Sequence, residues 1–320
     1  MSALASWLAP PTPAVGVEIG TSRVTVVRLA PGGPPATVAG FAVEPLPEGA
    51  VTPALNARNL ADPAAVSGAI GRALEKAGAR GRHAALVVPD TVAKVSLLRF
   101  EKVPARANDL RELIRWQVRK SVPFPIEDAE LTYFPGAEID GAREFVVALA
   151  RRDVIQEYEN ACVAAGLQPG IVDIATFNLI NATLAAGSTP EGDWLLVNLA
   201  PDYFTVAILR GDALIFIRHR DAEGDGGLAD VVHQTAMYYE DRLSGRGFSR
   251  VVLAGAGRGL AANGVEAEQV HRQLEGRLQT RVETIDPRPA IALTDRIAAD
   301  RTLLDAIAPA IGLLLRERTA

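Results

Sequence analysis

The chain has 320 residues, 48% of them apolar and 22% charged, which is enough to bury a large core and too apolar for a disordered segment. A formal net charge of −5 gives the molecule as a whole no attraction for phosphate backbones or anionic lipid, so nucleic-acid binding is not expected. The single cysteine, Cys162, excludes an internal disulfide and fits a reducing compartment.

The opening MSALASWLAPPTP lacks the basic start of a signal peptide, and 1–14 reads as a flexible tail carrying Trp7 and Leu8. No apolar run approaches the ~20 residues of a membrane-spanning helix. Residues 15–29, VGVEIGTSRVTVVRL, are β-rich on both sides of a Gly-Thr-Ser turn and predict a hairpin, with a third strand near 37–44. Asp62 and Pro63 open a helix that Gly78 closes, and HAALVVPD (83–90) reads as a buried strand. Residues 93–150 form a distinct unit. It holds a strand, a helix with Leu110, Leu113, Ile114 and Val118 on one stripe, a stop at Pro123 and Pro125, and two strands about Asp140-Gly141. A helix over 152–166 follows, in which Cys162 reads as a small buried side chain. A strand and helix over 171–186 then lead to the polar GSTPEGD (187–193), the expected hinge.

After the hinge the opening pattern returns. Residues 194–221 read strand, turn, strand, turn, strand, which we take as a repeat of architecture and not of residues. Helices at 228–243 and 266–278, strands at 250–257 and around VETID, and a final helix near 302–317 complete an α/β chain with partly parallel sheets.

Three turns carry candidate chemistry. Glu18-Ile19-Gly20-Thr21-Ser22 offers backbone N–H groups and hydroxyls to a phosphate, and Glu18 offers a carboxylate to a hydrated magnesium ion. An ordinary hairpin turn accounts for the same five residues. The matching second turn, Asn198-Leu199-Ala200-Pro201-Asp202-Tyr203, opposes a phosphate. Asn198 is uncharged and binds a divalent cation poorly, Ala200 adds a Cβ, Pro201 removes a donor and Asp202 repels an anion. The third turn, Gly255-Ala256-Gly257-Arg258-Gly259, superficially suits a dinucleotide site. Its third glycine falls one position early, at Gly259 with Leu260 next, and Asp286 lies too far on. A close strand–helix turn without a ligand accounts for it equally. His83, His219, His233 and His271 show no metal-ligand spacing, and Asp225 sits in an acidic loop, EGDGG. On the helix 106–120, Arg111, Arg115, Arg119 and Lys120 make a basic face. Trp116 and Phe124 beside it mark Arg115, Trp116, Arg119 and Phe124 as a candidate partner surface.

The order of these pieces resembles the PilM family of type IV pilus assembly proteins, actin-like and related to FtsA. The resemblance rests on VGVEIGTSRVTVVRL, on DLRELIRWQVRKSVPFPIEDAELTYF, on REFVVALARRDVIQEYENACVAAGLQPGIVDIATFNLINA and on DAIAPAIGLLLR, and is strongest over 95–185. It implies a two-lobed actin-like (ribonuclease H-like) fold. The first lobe would span 15–188 and include an inserted side subdomain at 93–167. The second would span 189–320, with the insertion near 221–245 reduced. It implies a cytoplasmic scaffold, peripheral to the inner membrane, that binds the N-terminal segment of a PilN-like membrane protein between the side subdomain and the first lobe and works beside pilus motor ATPases. The cytoplasmic domain of the type II secretion GspL proteins is a neighbouring possibility. It also implies a nucleotide site at Glu18, Gly20, Thr21, Ser22, Asn198, Gly255, Ala256 and Gly257. With the second turn altered and the insertion reduced, the expectation is a non-catalytic adaptor without a cofactor. The rivals are an ATPase using ATP with magnesium and an oxidoreductase resting on Gly255–Gly259.

Overall fold

The computed structural model describes residues 13–139, 141–187, 191–222, 227–256, 264–294 and 300–319. Runs of β-branched residues set the first sheet. Strands β1 (Val15–Ile19) and β2 (Arg23–Leu29) pair antiparallel from Val15↔Arg28 to Ile19↔Val24, and β3 (Ala36–Pro45) adds to β2. Helix α1 (Pro63–Lys76) starts where expected: Asp62 Oδ1 accepts from the Ala65 N–H at 2.9 Å, and Pro63 occupies the first turn. Strand β4 (His83–Val88) then lies parallel to β1, and β8 (Gln168–Ile174) parallel to β4.

The second half repeats this plan. Strands β9 (Asp193–Leu199), β10 (Tyr203–Arg210) and β11 (Ala213–Asp221) form an antiparallel meander. Strand β12 (Arg250–Ala254) runs parallel to β9, and β13 (Val282–Thr284) parallel to β12. The order β11-β10-β9-β12-β13 in one sheet matches β3-β2-β1-β4-β8 in the other. The two sheets make the two lobes of an actin-like fold, not one continuous dinucleotide-binding sheet. Helices α5 (Leu228–Arg242) and α6 (Gly264–Leu278) cover one face of the second sheet. β11 ends at Asp221 and α5 begins at Leu228.

Between β4 and β8 the chain builds a third sheet, β5-β7-β6, from β5 (Ala93–Phe100), β6 (Ala129–Ile139) and β7 (Ala142–Arg151). Helix α2 (Ala107–Val118) packs Ile114 and Val118 against Phe145, Val147 and Leu149 of this sheet. The expected side unit is therefore present but shorter than 93–167. Helix α3 (Arg152–Ala164) puts Val154, Tyr158, Ala161 and Cys162 into the first-lobe core with Val17 and Leu86, as a crossover helix of that lobe. The opposite face of the side unit reaches the second lobe, where Val95, Leu97 and Val146 pack with Trp194, Leu209 and Leu214.

Two helices lie between the lobes, α4 (Ala175–Ala185) and α7 (Arg301–Thr319). They cross almost backbone to backbone. A Cβ on Gly312 would stand 1.7 Å from the Asn178 carbonyl oxygen, so no larger residue fits there. A short strand unseen in the sequence, β14 (Ile291–Leu293), pairs parallel with β3. With α7 it returns the end of the second half to the first lobe, where Ile307, Ile311 and Leu314 pack on Val27, Val38 and Val87.

Candidate functional site

The two hairpin turns face each other across the interlobe cleft, as the repeat implies. Their geometry agrees position by position: Gly20 N–H donates to the Arg23 carbonyl at 2.9 Å, and Ala200 N–H donates to the Tyr203 carbonyl at 2.8 Å. Glu18, Gly20, Thr21, Ser22 and Asn198 of the sequence-predicted nucleotide site all line this cleft, with Glu18 only 8% exposed. The turns also touch. The Thr21 hydroxyl donates to Asp202 Oδ1 at 3.3 Å, so a carboxylate of the second lobe takes the hydroxyl that was expected to face a phosphate. Burial pushes the Asp202 carboxyl up from its ordinary value, against the pull of its own backbone N–H and of Thr21. The space between the turns is about 40 Å³, room for roughly three waters.

Behind the turns lies a residue that the sequence did not single out. Asp90 follows β4, is 2% exposed, and accepts four hydrogen bonds. The donors are the Thr176 N–H at 2.8 Å, the Thr176 hydroxyl, Asn198 Nδ2 at 3.1 Å and the Thr205 hydroxyl at 2.6 Å. The Asp90 N–H in turn donates to the Tyr203 hydroxyl at 3.0 Å. Thr176 begins α4; Asn198, Tyr203 and Thr205 belong to β9 and β10. The cluster explains Asn198. In the first lobe Glu18 pairs with Thr25, and in the second Asn198 pairs with Thr205 at the matching register. A carboxylate at 198 would oppose Asp90, whereas an amide donates to it.

The third turn is held by its own surroundings. Gly255 has φ +86°, and a Cβ there would stand 1.8 Å from the Leu199 carbonyl oxygen, so glycine is required by packing on β9. Its N–H donates to Asp305 Oδ1 of α7 at 2.6 Å. Ala256 is buried beside it and borders a hollow of about 410 Å³ with His271, Arg272 and Arg301 on its rim. Gly257, Gly259 and Asp225 lie outside the described residues, as do Trp7 and Leu8. Asp286 is engaged by Arg288, whose bonds hold its carboxyl below the usual range. Among the described residues no group of histidine, cysteine and carboxylates is placed to hold a metal. Cys162 is buried, which pushes its thiol up to about 12 and makes it inert.

A wider opening lies elsewhere, between the side unit and the first lobe. It is a groove of about 650 Å³ lined by Asn56, Pro123, Phe124, Pro125, Arg151 and Gln156. Its wall is the loop between Val51 and Leu60, which the start of α3 fixes. Glu157 Oε2 accepts from the N–H groups of Asn59 and Leu60, each at 2.9 Å, and the Tyr158 hydroxyl donates to Asn59 Oδ1 at 3.0 Å. Arg151 Nη1 donates to Asn56 Oδ1 at 2.8 Å, and Asn56 Nδ2 donates to the Pro123 carbonyl at 3.4 Å, tying loop to side unit.

The four candidate partner residues separate here. Trp116 is 58% exposed, with the Arg119 guanidinium 5.4 Å from its ring centroid. Arg115 Nη2 instead donates to the Ile126 carbonyl at 3.1 Å and braces the turn after α2. Phe124 is not a surface aromatic but part of the side unit's core with Val118 and Val122, and only its edge reaches the groove. The Pro residues on either side force the chain to turn inward, which composition alone did not reveal.

Comparisons with known proteins agree with this architecture. A family model described as type IV pilus assembly protein PilM matches residues 16–242. A solved structure described as a PilM-PilN type IV pilus biogenesis complex is 20% identical, covers 96% of this chain and 99% of its own, and superposes with a TM-score of 0.80. The cytoplasmic domain of EpsL from the type II secretion system of Vibrio cholerae is 10% identical over 95% of this chain and 93% of its own, with a TM-score of 0.49. A Bacteroides thetaiotaomicron protein with an actin-like ATPase fold is 8% identical over 94% and 95%, also at 0.49.

Proposed function

Since the chain belongs to the PilM family of type IV pilus assembly proteins, we propose that it is a non-catalytic adaptor of the pilus inner-membrane assembly platform. In this reading it holds the cytoplasmic N-terminal peptide of a PilN-like membrane protein in the groove between the side unit and the first lobe. The observation that carries it is the groove itself, about 650 Å³ and bordered at Asn56 by a loop that hydrogen bonds to Glu157 keep in place. Such a slot takes an extended peptide at little cost in ordering. The name of the structurally similar complex supports the class of partner. No helix among the described residues is long and apolar enough to cross a membrane, so attachment through a partner fits. The chain would then sit in the cytoplasm against the inner membrane, with pilus motor ATPases as further partners.

The test is binding of a fluorescent peptide copied from the segment that precedes the membrane helix of a PilN-like protein encoded beside this chain. The wild type is expected to bind, and Gln156→Trp, which fills the groove from an exposed helix position, is expected to weaken binding about tenfold or more with unchanged melting. Wild-type affinity in Gln156→Trp moves the partner off this groove. Absence of binding by the wild type removes the proposed partner.

A further inference from the structure

The cleft between the lobes invites a separate question, because its strongest bonds join the protein to itself. We propose that this cleft is self-liganded: Asp90 and Asp202 take, from the chain's own donors, the hydrogen bonds a bound anion would receive, and so keep the lobes in one orientation whether or not a nucleotide is offered.

Three observations carry the proposal. Asp90 accepts four hydrogen bonds, one at Oδ1 and three at Oδ2, and two of the donors are Asn198 and Thr205 of the second lobe. The Tyr203 hydroxyl, also of the second lobe, takes the Asp90 N–H. Parting the lobes would break all three of these bonds at residues that are buried. Next, Asp202 closes the mouth of the cleft on Thr21, in the register where the first lobe has Ser22. Finally, the side unit belongs to the first half of the chain but packs Val95, Leu97 and Val146 on the second-lobe sheet. The lobes are thus joined behind, in front and alongside the cleft. The turns that would hold phosphates and magnesium do not fit them: Pro201 has no N–H, Asn198 is committed to Asp90, and Asp202 would repel the ligand.

The consequence is a regulatory one. An actin-like fold ordinarily offers a hinge that a ligand can close, whereas this chain carries its latch in its own sequence. Affinity for a partner at the groove would then be independent of nucleotide, as suits a permanent scaffold. The inference itself needs no partner for its test.

Hydrogen exchange of the purified full chain reads the latch directly, at residues 20–23 and 198–205. With millimolar ATP and magnesium, and separately with magnesium and inorganic phosphate, protection at both turns is expected to stay as it is without them. Asp202→Ala is expected to speed exchange at 20–23 and 200–203 by about tenfold, and Asp90→Asn to do so across 198–205. Should Asp90→Asn fail to fold, Asp202→Ala and the nucleotide arm still decide. The proposal is overturned if ATP slows exchange at the turns of the wild type by about tenfold, or if Asp202→Ala leaves both turns unchanged. Failure of the peptide to bind the groove would leave these readings untouched, so the two proposals stand or fall apart.

Discussion

The cleft and the groove are both gaps between structural units, and they are built in opposite ways. In the cleft, side chains from the two lobes meet and satisfy each other around Asp90, and about 40 Å³ is left. In the groove, the hydrogen bonds of Glu157, Tyr158 and Asn59 lie behind one wall and leave about 650 Å³ open in front of it. The first spends its polar groups on joining the lobes. The second spends them on holding a surface still, which is what a docking site requires.

The largest expected effect bears on the joint. Asp90→Ala removes the buried acceptor of the Thr176 N–H and of the Thr205 hydroxyl and one acceptor of the Asn198 amide, which keeps the Thr176 hydroxyl, and should cost about 3–5 kcal/mol in urea unfolding. A loss below about 1 kcal/mol would mean that water replaces the carboxylate and the cleft is not a joint at all. A smaller effect separates a carboxylate held by neutral donors from one held by a cation. Arg210 and then Tyr239 hold the Asp193 carboxyl below its ordinary value, against the opposing pull of burial. A depressed folded value adds stability that is present above the unfolded value, about 3.9, and fades as pH falls through the folded one. Asp193→Asn should therefore lower stability at neutral pH and match the wild type in strong acid. With Arg210 46% exposed, the charged part of that difference should stay below about 1 kcal/mol. The smallest effect tests how far the groove extends. Trp116→Ala should change stability by no more than about 0.5 kcal/mol, since the ring is 58% exposed. A several-fold drop in peptide affinity would extend the docking face along α2, and unchanged affinity would confine it to the groove.

Much of this frame was legible in the sequence. The hairpins, the helix opened by Asp62-Pro63 and the return of the pattern after the hinge all lie where local periodicity and turn chemistry put them. Side-unit strands β5 to β7 were equally readable. The reach of the unit to 167 was not correct, because the apolar stripe of α3 says that it is buried but not in which core. Strand β14 escaped because three residues carry no periodicity. Phe124 looked like a surface aromatic because it follows the basic face of the helix 106–120, while its burial comes from contacts with α2. Asp90 was invisible for a deeper reason. Its partners are 86 to 115 residues away in sequence, and nothing near Pro89-Asp90-Thr91 hints at them. The same distance hid the meaning of Asn198, which looked like a lost magnesium ligand and is a donor to a neighbouring carboxylate.

The parallel pairing of β14 with β3 bears on how the protein is made. Strand β3 ends at Pro45 and its outer partner starts at Ile291, so at ribosomal speed the edge of the first sheet waits on the order of tens of seconds for its cover. Until α7 has also left the ribosome, the face formed by Val27, Val38 and Val87 lacks Ile307, Ile311 and Leu314, its main apolar cover. The lobe that begins the chain is thus the last to be finished, and a synthesis that stops early yields an exposed apolar sheet.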